Sequence, residues 1–308
     1  MNLYPMLQSK PKEHFLIVSS RKVSIMKTNI IRAILNLVNN PQTVIDLSSK
    51  SHNRMNSAGE SLEKYIENLF ANTLVESDDA QRRKKVEECF SYRGSQNNPP
   101  DMILRNGDAI EVKKVENAYA SLALNSSYPK AKLFSDSPMI LKACKSCEEW
   151  DVKDIIYVIG AVKGNSLFHL SMVYGMDYAA DLEAYERIKL SIGDGVSQIP
   201  HIDFADTKEL GRVNNVDPLG ITSLRIRGMW QIDNPLKVFN YIYQPDISKK
   251  FNLMVLINDE KYASFDKSDR DELERLSQKN VLSVSDVKIK DPNNAAKLKD
   301  AKLITFSM

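Results

Sequence analysis

One stretch of this chain, residues 100–113, combines a tight-turn signal with closely spaced charged residues. It reads PDMILRNGDAIEVK, and an Asn-Gly pair between two apolar runs is the strongest short-range signal for a β-hairpin. Asp101 comes before the first arm, and Glu111 and Lys113 lie on the second arm. Because side chains alternate along a strand, Glu111 and Lys113 leave it on the same face. The stretch therefore predicts a hairpin that presents two carboxylates and one ammonium group.

The length of the hairpin loop decides which face Asp101 occupies. A two-residue Asn-Gly loop pairs Asp101 with Val112, which puts the Asp101 carboxylate on the face opposite Lys113. A three-residue Asn-Gly-Asp loop pairs Asp101 with Lys113 and brings all three charged groups to one face. A shared chemical role needs all three charged groups on one face. This favours the longer loop, with its glycine or its aspartate in the left-handed conformation, or a bulge near Asp101.

The cluster has a chemistry that suits hydrolysis of a phosphodiester. Asp101 and Glu111 can share a hard divalent cation such as Mg²⁺ through oxygen ligands. Such a metal lowers the pKa of a bound water and offsets charge on the phosphorane, while Lys113 orients the nucleophile. The alternative is a surface hairpin with scattered charges, because so short a pattern also arises by chance. The rest of the chain has to decide between these interpretations.

Composition narrows the function classes. The 308 residues can bury a full core in one or two domains. The net charge of +2 neither requires nor excludes nucleic acid, so a DNA-binding field must come from local clustering of charge. No apolar run approaches the roughly 20 residues of a membrane span. A P-loop, a Rossmann glycine fingerprint and a nucleophile elbow are all missing from the sequence.

The cysteines predict a reducing, cytoplasmic environment. Three cysteines in a chain of this length argue against a disulfide scaffold. Cys144 and Cys147 form a C-x-x-C, but no second ligand pair accompanies them to complete a zinc site. A buried, reduced pair is therefore the better interpretation.

Hydrophobic periodicity predicts a mixed α/β (α+β) fold, with helices on both sides of a mixed central β-sheet. Residues 1–27 differ in pattern and are expected to be an N-terminal extension outside the core, with 28–308 as a single domain. Helices are expected at 28–39, from a capping box at Ser57 to about Leu74, around 82–85, near 181–190 and at 267–279. Strands are expected at 154–162, 166–174, 222–230, 251–257 and 302–306, and residues 116–149 are expected to be loop and helix.

Glu63 is a further candidate for the metal site. Glu60, on the same helix, is explained as the far half of the capping box. Glu63 instead borders the predicted buried stripe of this helix, next to Gly59 and Ile66. Its carboxylate could face the site as an extra ligand or as a holder of water. An ordinary glutamate at the boundary of the buried stripe is the alternative.

The segment that follows the hairpin, residues 124–130, reads LNSSYPK and carries candidate DNA contacts. Small polar side chains and a lysine, fixed by a Tyr-Pro turn, can hydrogen-bond phosphates or base edges. The candidates are Asn125, Ser126, Ser127 and Lys130. The alternative is a capped loop with no role in binding.

Arg225 and Arg227 alternate with apolar residues along a predicted strand. Both arginines would lie on one face of it, where they could fork onto guanine O6 and N7 or clamp phosphates. Leu224 and Ile226 are expected to hold the other face to the core. The alternative is a solvated face of an edge strand.

Taken together and in this order, these blocks resemble the type II restriction endonucleases of the PD-(D/E)xK superfamily, and more narrowly the NgoPII family. The resemblance spans roughly residues 28–257. Its four blocks are residues 57–63, 100–113, 124–130 and 224–230, the last followed by Asn234 and Pro235.

The resemblance implies a restriction-endonuclease-like core and assigns roles to individual residues. It implies that Asp101, Glu111 and Val112 bind Mg²⁺, that Lys113 assists the attacking water and that Glu63 supports the site. It further implies a homodimer that cuts duplex DNA, with GGCC as its recognition word. A host-protecting DNA methyltransferase would then be its functional partner.

Two other hypotheses use the same residues. One is a structure-specific repair or junction-resolving nuclease with the same core. The other is a non-catalytic DNA-binding protein with a vestigial core, against which the intact Asp101, Glu111 and Lys113 argue.

Overall fold

The computed structural model describes residues 27–46, 54–94 and 98–308, with the backbone alone described for 54–58. Nearly all of the expected N-terminal extension lies outside these residues. The helices are α1 Ile30–Asn39, α2 Arg54–Phe70, α3 Asp79–Cys89, α4 Lys142–Lys145, α5 Gly175–Tyr178, α6 Leu182–Ser197, α7 Pro235–Val238, α8 Asp259–Ser264 and α9 Lys267–Gln278. The strands are β1 Phe90–Arg93, β2 Met102–Leu104, β3 Ala109–Val115, β4 Leu122–Asn125, β5 Lys132–Phe134, β6 Val152–Lys163, β7 Ser166–Tyr174, β8 Gly211–Val213, β9 Leu224–Ile226, β10 Trp230–Ile232, β11 Asn252–Asn258, β12 Ser283–Asp291 and β13 Asn294–Ser307.

A nine-stranded mixed sheet forms the centre of the described structure. Its strand order is β1-β2-β3-β6-β7-β11-β13-β12, and β5 pairs with β6 outside this path. The pairs β3–β6 and β7–β11 are parallel, while the other neighbours in the sheet are antiparallel. Helices lie on both faces of the sheet. The predicted mixed α/β fold class is therefore confirmed.

Both faces of the central strands are buried, which explains the uncharged, mostly apolar run from Ile155 to Val162 in β6. On one face, Ile156 and Val158 pack with residues of α1 and α2 such as Ile34 and Ile66. On the other face, alternate residues of the same strand belong to a second cluster, which includes Phe239 just after α7. The sheet is thus a layer between two apolar cores.

Two predicted elements differ from the structure in their bounds, and the first is α2. The helix expected to begin at Ser57 already includes Arg54, so Ser57 lies inside α2 and no capping box begins there. Residues 54–57 contain no helix breaker, so the helix continues through them. The same helix ends at Phe70 rather than near Leu74, and Asn72 follows with a left-handed φ of 54°.

The single strand expected at 222–230 is two strands in two separate small sheets. β9 pairs with β8, whereas β10 pairs with β4. Leu224 is 51% exposed and Ile226 is half-buried, so neither residue holds this segment to the core as expected. β8 and β9 lie with α6 in an arm, residues 182–229. None of the residues of α6 is buried.

Five further strands escaped the sequence analysis, namely β1, β4, β5, β8 and β12. β4 and β5 lie in the region expected to contain loop and helix, and both are only three or four residues long. β12 is a mostly exposed strand whose polar sequence gives little apolar alternation. It forms a long hairpin with β13 at the edge of the sheet. Within the described residues, no helix combines the length and apolar character that crossing a membrane requires.

Candidate active site

The hairpin of β2 and β3 brings the predicted charged groups together, with a different loop from the two considered. Met102 pairs with Ile110 and Ile103 with Ala109, so the three-residue loop is 105–107 rather than 106–108. Asn106 adopts the left-handed conformation, with φ of 54°, which asparagine tolerates better than most residues. Extending the pairing by one residue sets Asp101 opposite Glu111, and their shared face is retained.

Asp108 explains the one-residue shift of the loop. Its carboxylate is buried and accepts hydrogen bonds from Lys261 Nζ and Tyr174 Oη, both at 2.7 Å. Lys261 also donates to Asp154 at 2.7 Å. These distant partners draw Asp108 out of the loop and into the sheet, so the turn forms one residue earlier.

The three charged groups of the hairpin make a compact arrangement in which Glu111 is buried and Asp101 and Lys113 are half-buried. Asp101 Oδ2 accepts a hydrogen bond from the Val112 backbone N–H at 2.6 Å. Lys113 Nζ donates to Glu111 Oε1 at 2.6 Å. Glu111 Oε2 is buried and has no hydrogen-bond partner in the described structure. A buried carboxylate oxygen without a partner is costly, and it is the kind of atom that a bound cation would satisfy.

Electrostatics show an excess of negative charge at this position. Burial raises the pKa of Asp101 well above its ordinary value, and Glu111 and Glu63 raise it further, against the opposing Lys113. Burial also raises the pKa of Glu63. The positive charge of Lys113 opposes this shift, and the negative charge of Glu111 adds to it. Burial lowers the pKa of Lys113, but Glu111 and Asp101 outweigh that effect, so its net shift is upward and it stays cationic. A further positive charge would relieve the carboxylates.

Glu63 on α2 belongs to this electrostatic environment, although its side chain does not line the cleft that the hairpin faces. The stripe beside it is buried as expected, because Leu62, Ile66, Leu69 and Thr73 are at most 1% exposed. α2 therefore holds Glu63 at the border between the core and the charged groups.

A cleft of about 1080 Å³ joins the hairpin to residues far away in sequence. Asp101, Glu111 and Lys113 line it together with residues of six other segments, within 123–130, 138–139, 155–157, 189–192, 208–210 and 227–230. The predicted DNA contacts that also line it are Asn125, Ser126, Ser127, Lys130 and Arg227. Arg225 and Val112 are not among the lining residues. Sequence analysis did not single out Tyr157, Lys189, Lys208, Glu209 and Trp230, which also line the cleft.

The 124–130 segment places a second lysine near the carboxylates. Lys130 Nζ contacts Ser127 Oγ at 2.5 Å, and the Lys130 backbone N–H donates to Tyr157 Oη at 2.8 Å. Burial lowers the pKa of Lys130 to about 8, with Glu111 raising it and Lys113 lowering it. The backbone of Lys130 also packs closely against Gly175. A Cβ at position 175 would press against the backbone oxygen of Lys130, so the contact requires glycine.

An aromatic junction, formed by Tyr128, Tyr185 and Trp230, connects this segment to the arm. Tyr128 stacks on Tyr185 with ring centroids 5.7 Å apart, and Trp230 lies edge-on to both rings. The pairing of Trp230 with Asn125 in the β4–β10 sheet adds a backbone connection. Blocks about a hundred residues apart in sequence are thereby fixed on one cleft wall.

Arg225 and Arg227 share one acidic partner, Glu209. Arg225 donates to Glu209 through Nε at 2.9 Å and through Nη2 at 2.6 Å, and Arg227 donates through Nε. These hydrogen bonds, that from Arg225 foremost, lower the pKa of Glu209 to about 2 against the opposing effect of burial. Sequence gave no signal for Glu209, because it lies 16 residues before Arg225 in a segment without a motif.

The donor set at the hairpin is compatible with Mg²⁺ rather than with a closed metal cage. Within residues 27–46, 54–94 and 98–308, no group of three or more His, Cys, Asp and Glu residues is arranged to hold a metal ion. Asp101 and Glu111 provide two carboxylates, and Mg²⁺ commonly binds through one or two carboxylates while keeping several waters. Cys144 and Cys147 are free thiols, and of the pair expected to be buried only Cys144 is, whereas Cys147 is half-buried.

Comparison with known proteins identifies the class of enzyme. A sequence model described as NgoPII restriction endonuclease matches residues 28–290. The chain therefore belongs to the NgoPII family of restriction endonucleases, which makes it a type II, site-specific deoxyribonuclease. The Type II restriction enzyme NgoPII of Neisseria gonorrhoeae is 52% identical over 281 residues, which cover 91% of this chain and 100% of that protein. No solved structure matches the chain. The family resemblance predicted from sequence is confirmed.

Proposed function

We propose that this restriction endonuclease uses Mg²⁺ at the hairpin to cut double-stranded DNA at a short palindrome, GGCC. The unpaired, buried Glu111 Oε2 beside Asp101 and Lys113 is the observation that carries this proposal. It supports a cation site at the base of a cleft whose walls carry several basic and polar side chains. The word GGCC rests on the family resemblance.

The hairpin residues divide the chemistry between them. Asp101, Glu111 and the Val112 carbonyl would hold Mg²⁺, which supplies Lewis acidity and lowers the pKa of a bound water. Lys113 stays cationic and orients the attacking water against the phosphate, and its charge offsets the developing phosphorane. Glu63 helps to hold water at the site. Asp101 itself is positioned by its hydrogen bond from the Val112 N–H.

The DNA-binding residues lie on the other walls of the cleft. Asn125 and Ser126 are exposed there, and Ser127 and Lys130 contact each other behind them. These groups suit phosphate oxygens or base edges, and Arg225 and Arg227 suit guanine or phosphate. Lys130 lies in the field of Glu111 and Lys113, which favours a contact to the phosphate being cut.

A palindromic site also calls for two copies of the chain. We infer a homodimer in which each copy cuts one strand. A DNA methyltransferase that modifies the same word would protect the host as a functional partner rather than as part of a stable complex. A cytoplasmic location goes with these roles.

A plasmid digest tests the proposal. With Mg²⁺ we expect discrete bands that map to GGCC, and with EDTA we expect none. Nicks at junctions or flaps would favour the repair-nuclease alternative, and binding without cleavage would favour a vestigial core. Both results contradict the proposal.

Substitution of the carboxylates tests the metal site itself. Asp101→Ala and Glu111→Ala should abolish cleavage but retain DNA binding, because each removes a metal ligand and few ground-state contacts. Glu116→Ala is the matched control, since Glu116 follows the same strand but its side chain is 84% exposed. It should cleave at the wild-type rate. Wild-type rates in either hairpin variant would rule out the assignment.

A further inference from the structure

Glu209 binds two arginines that are not equivalent. Arg225 approaches its carboxylate side-on and uses both Nε and Nη2, at 2.9 and 2.6 Å. Arg227 donates only its Nε, to the oxygen that also accepts from Arg225 Nη2. Within the part of the chain that the structure describes, the terminal nitrogens of Arg227 have no partner. The forked end of Arg227 is thus free, while the corresponding edge of Arg225 is occupied.

Backbone pairing fixes Glu209 beside both arginines. Gly211 pairs with Ile226 across β8 and β9, and the Leu210 N–H donates to the Ile226 carbonyl at 3.1 Å. Glu209 is only 17% exposed, whereas Arg225 and Arg227 are 50% and 51% exposed. The carboxylate is therefore the fixed member of the cluster, and the arginine side chains are the ones that it orients.

The two arginines also differ in their position relative to the cleft. Arg227 and Glu209 line it, together with Lys208 and Gly228, but Arg225 does not. Two free terminal nitrogens match the O6 and N7 acceptors of guanine in the major groove. One carboxylate between two guanidinium groups leaves this cluster with net positive charge, which favours DNA rather than repelling it.

We propose that Glu209 is a positioning residue for base reading, which directs the forked end of Arg227 to a guanine edge and uses Arg225 as its support. The inference rests on the proposed cleavage at GGCC and names the residue that reads the guanine. The competing possibility is that Glu209 only occupies the arginines until DNA displaces it. Its removal would then tighten binding to every sequence.

Binding titrations on a GGCC duplex and a scrambled duplex separate these possibilities. Ca²⁺ replaces Mg²⁺ so that a cation is present, and the same samples are checked for cleavage on gels. Arg227→Ala should lose roughly 10- to 100-fold of the preference for GGCC. Glu209→Ala should lose part of the same preference without tightening binding to the scrambled duplex.

Two further variants make the test specific to positioning. Glu209→Gln keeps an oxygen that can accept from both arginines, so it should retain more of the preference than Glu209→Ala. Arg212→Ala is the matched control, because Arg212 pairs with Arg225 across the sheet but contacts Asn214 instead of Glu209. It should leave the preference unchanged. Binding to the scrambled duplex reports that each variant is folded.

Replacement of guanine by 7-deazaguanine tests the contact at the level of one atom. The wild-type protein should bind a GGCC duplex less tightly when the guanine that Arg227 reads lacks N7. Arg227→Ala should show no additional loss, because the contact is already absent, while Arg225→Ala should still respond to the modified base.

Several results would overturn the inference. Equal losses on both duplexes for Arg225→Ala and Arg227→Ala would make them backbone contacts, and tighter binding by Glu209→Ala to both duplexes would make Glu209 a competitor. In these cases the wild-type protein still prefers GGCC. Failure of the proposed function is distinguishable, because the wild-type protein itself would then show no preference for GGCC, and the guanine contact would be lost with it.

Discussion

The proposed role of Asp101 as a metal ligand conflicts with the stability of the protein without metal. The pKa of Asp101 is raised well above the ordinary 3.8, mainly by burial. Between these two values the folded chain holds a proton that the unfolded chain has lost, so stability falls as pH rises through this window. Above the folded pKa the full penalty remains, until a cation binds and offsets it.

Asp101→Asn should therefore stabilise the metal-free protein while it abolishes cleavage. The amide keeps an oxygen for the Val112 N–H but carries no charge. In urea unfolding with EDTA at pH 8, we expect the Asn variant to have a higher free energy of unfolding than the wild type. At pH 3 the two proteins should be nearly equal, and Mg²⁺ should stabilise only the wild type. A less stable Asn variant at pH 8 would contradict this account of the site.

At the scale of the element, β3 separates two adjacent lysines by strand alternation. Lys113 lines the cleft and donates to Glu111. Lys114 does not line the cleft, and its Nζ lies 3.5 Å from Glu116 Oε1. The same substitution therefore removes one positive charge at either position, but from opposite faces of the strand.

Lys113→Met should lower kcat by roughly 10²- to 10³-fold, as expected for loss of one group that stabilises the transition state. Lys114→Met is the control and should stay close to the wild-type rate. Single-turnover cleavage of a duplex, with protein in excess, measures both. Similar losses at the two positions would contradict the orientation of β3.

The local sequence pattern was sufficient to predict those helices and strands whose apolar spacing repeats several times. It gave α1, α9, β6, β7 and β11 almost to their ends, and it gave the shared face of Asp101 and Glu111. It could not give the hairpin loop, because Asp108 is drawn away by Lys261, 153 residues further on. Nor could it separate β9 from β10, since β10 pairs with β4, which only the folded chain brings near, while β9 pairs with β8.

At the scale of the whole molecule, the arm has an unusual share of exposed apolar residues. Of the 23 large hydrophobic residues exposed in the described structure, eleven lie between Leu182 and Met229. Exposed apolar residues concentrated in one part of a surface mark an interaction site. With the two-fold symmetry of a palindrome, this supports a second copy of the chain as the occupant.

We expect light scattering to give about twice the 34.9 kDa of the chain. Leu190→Glu should shift the protein toward the monomer, because Leu190 lies on α6 and is 63% exposed. Leu298→Glu is the matched control, since Leu298 is 59% exposed on β13. It should leave the mass unchanged. A monomeric wild-type protein, or equal effects of the two charges, would exclude a dimer through the arm.

The aromatic junction has an optical consequence. The chain has two tryptophans, and Trp150 contacts Lys153 and the Cys144 carbonyl, away from the cleft. Trp230 instead lies on the cleft wall against Tyr128 and Tyr185. Indole emission depends on the polarity around the ring, so DNA bound in the cleft as proposed should change the fluorescence of Trp230 by displacing water from this wall. In a Trp150→Phe background, the arrival of DNA can be followed in real time without a label.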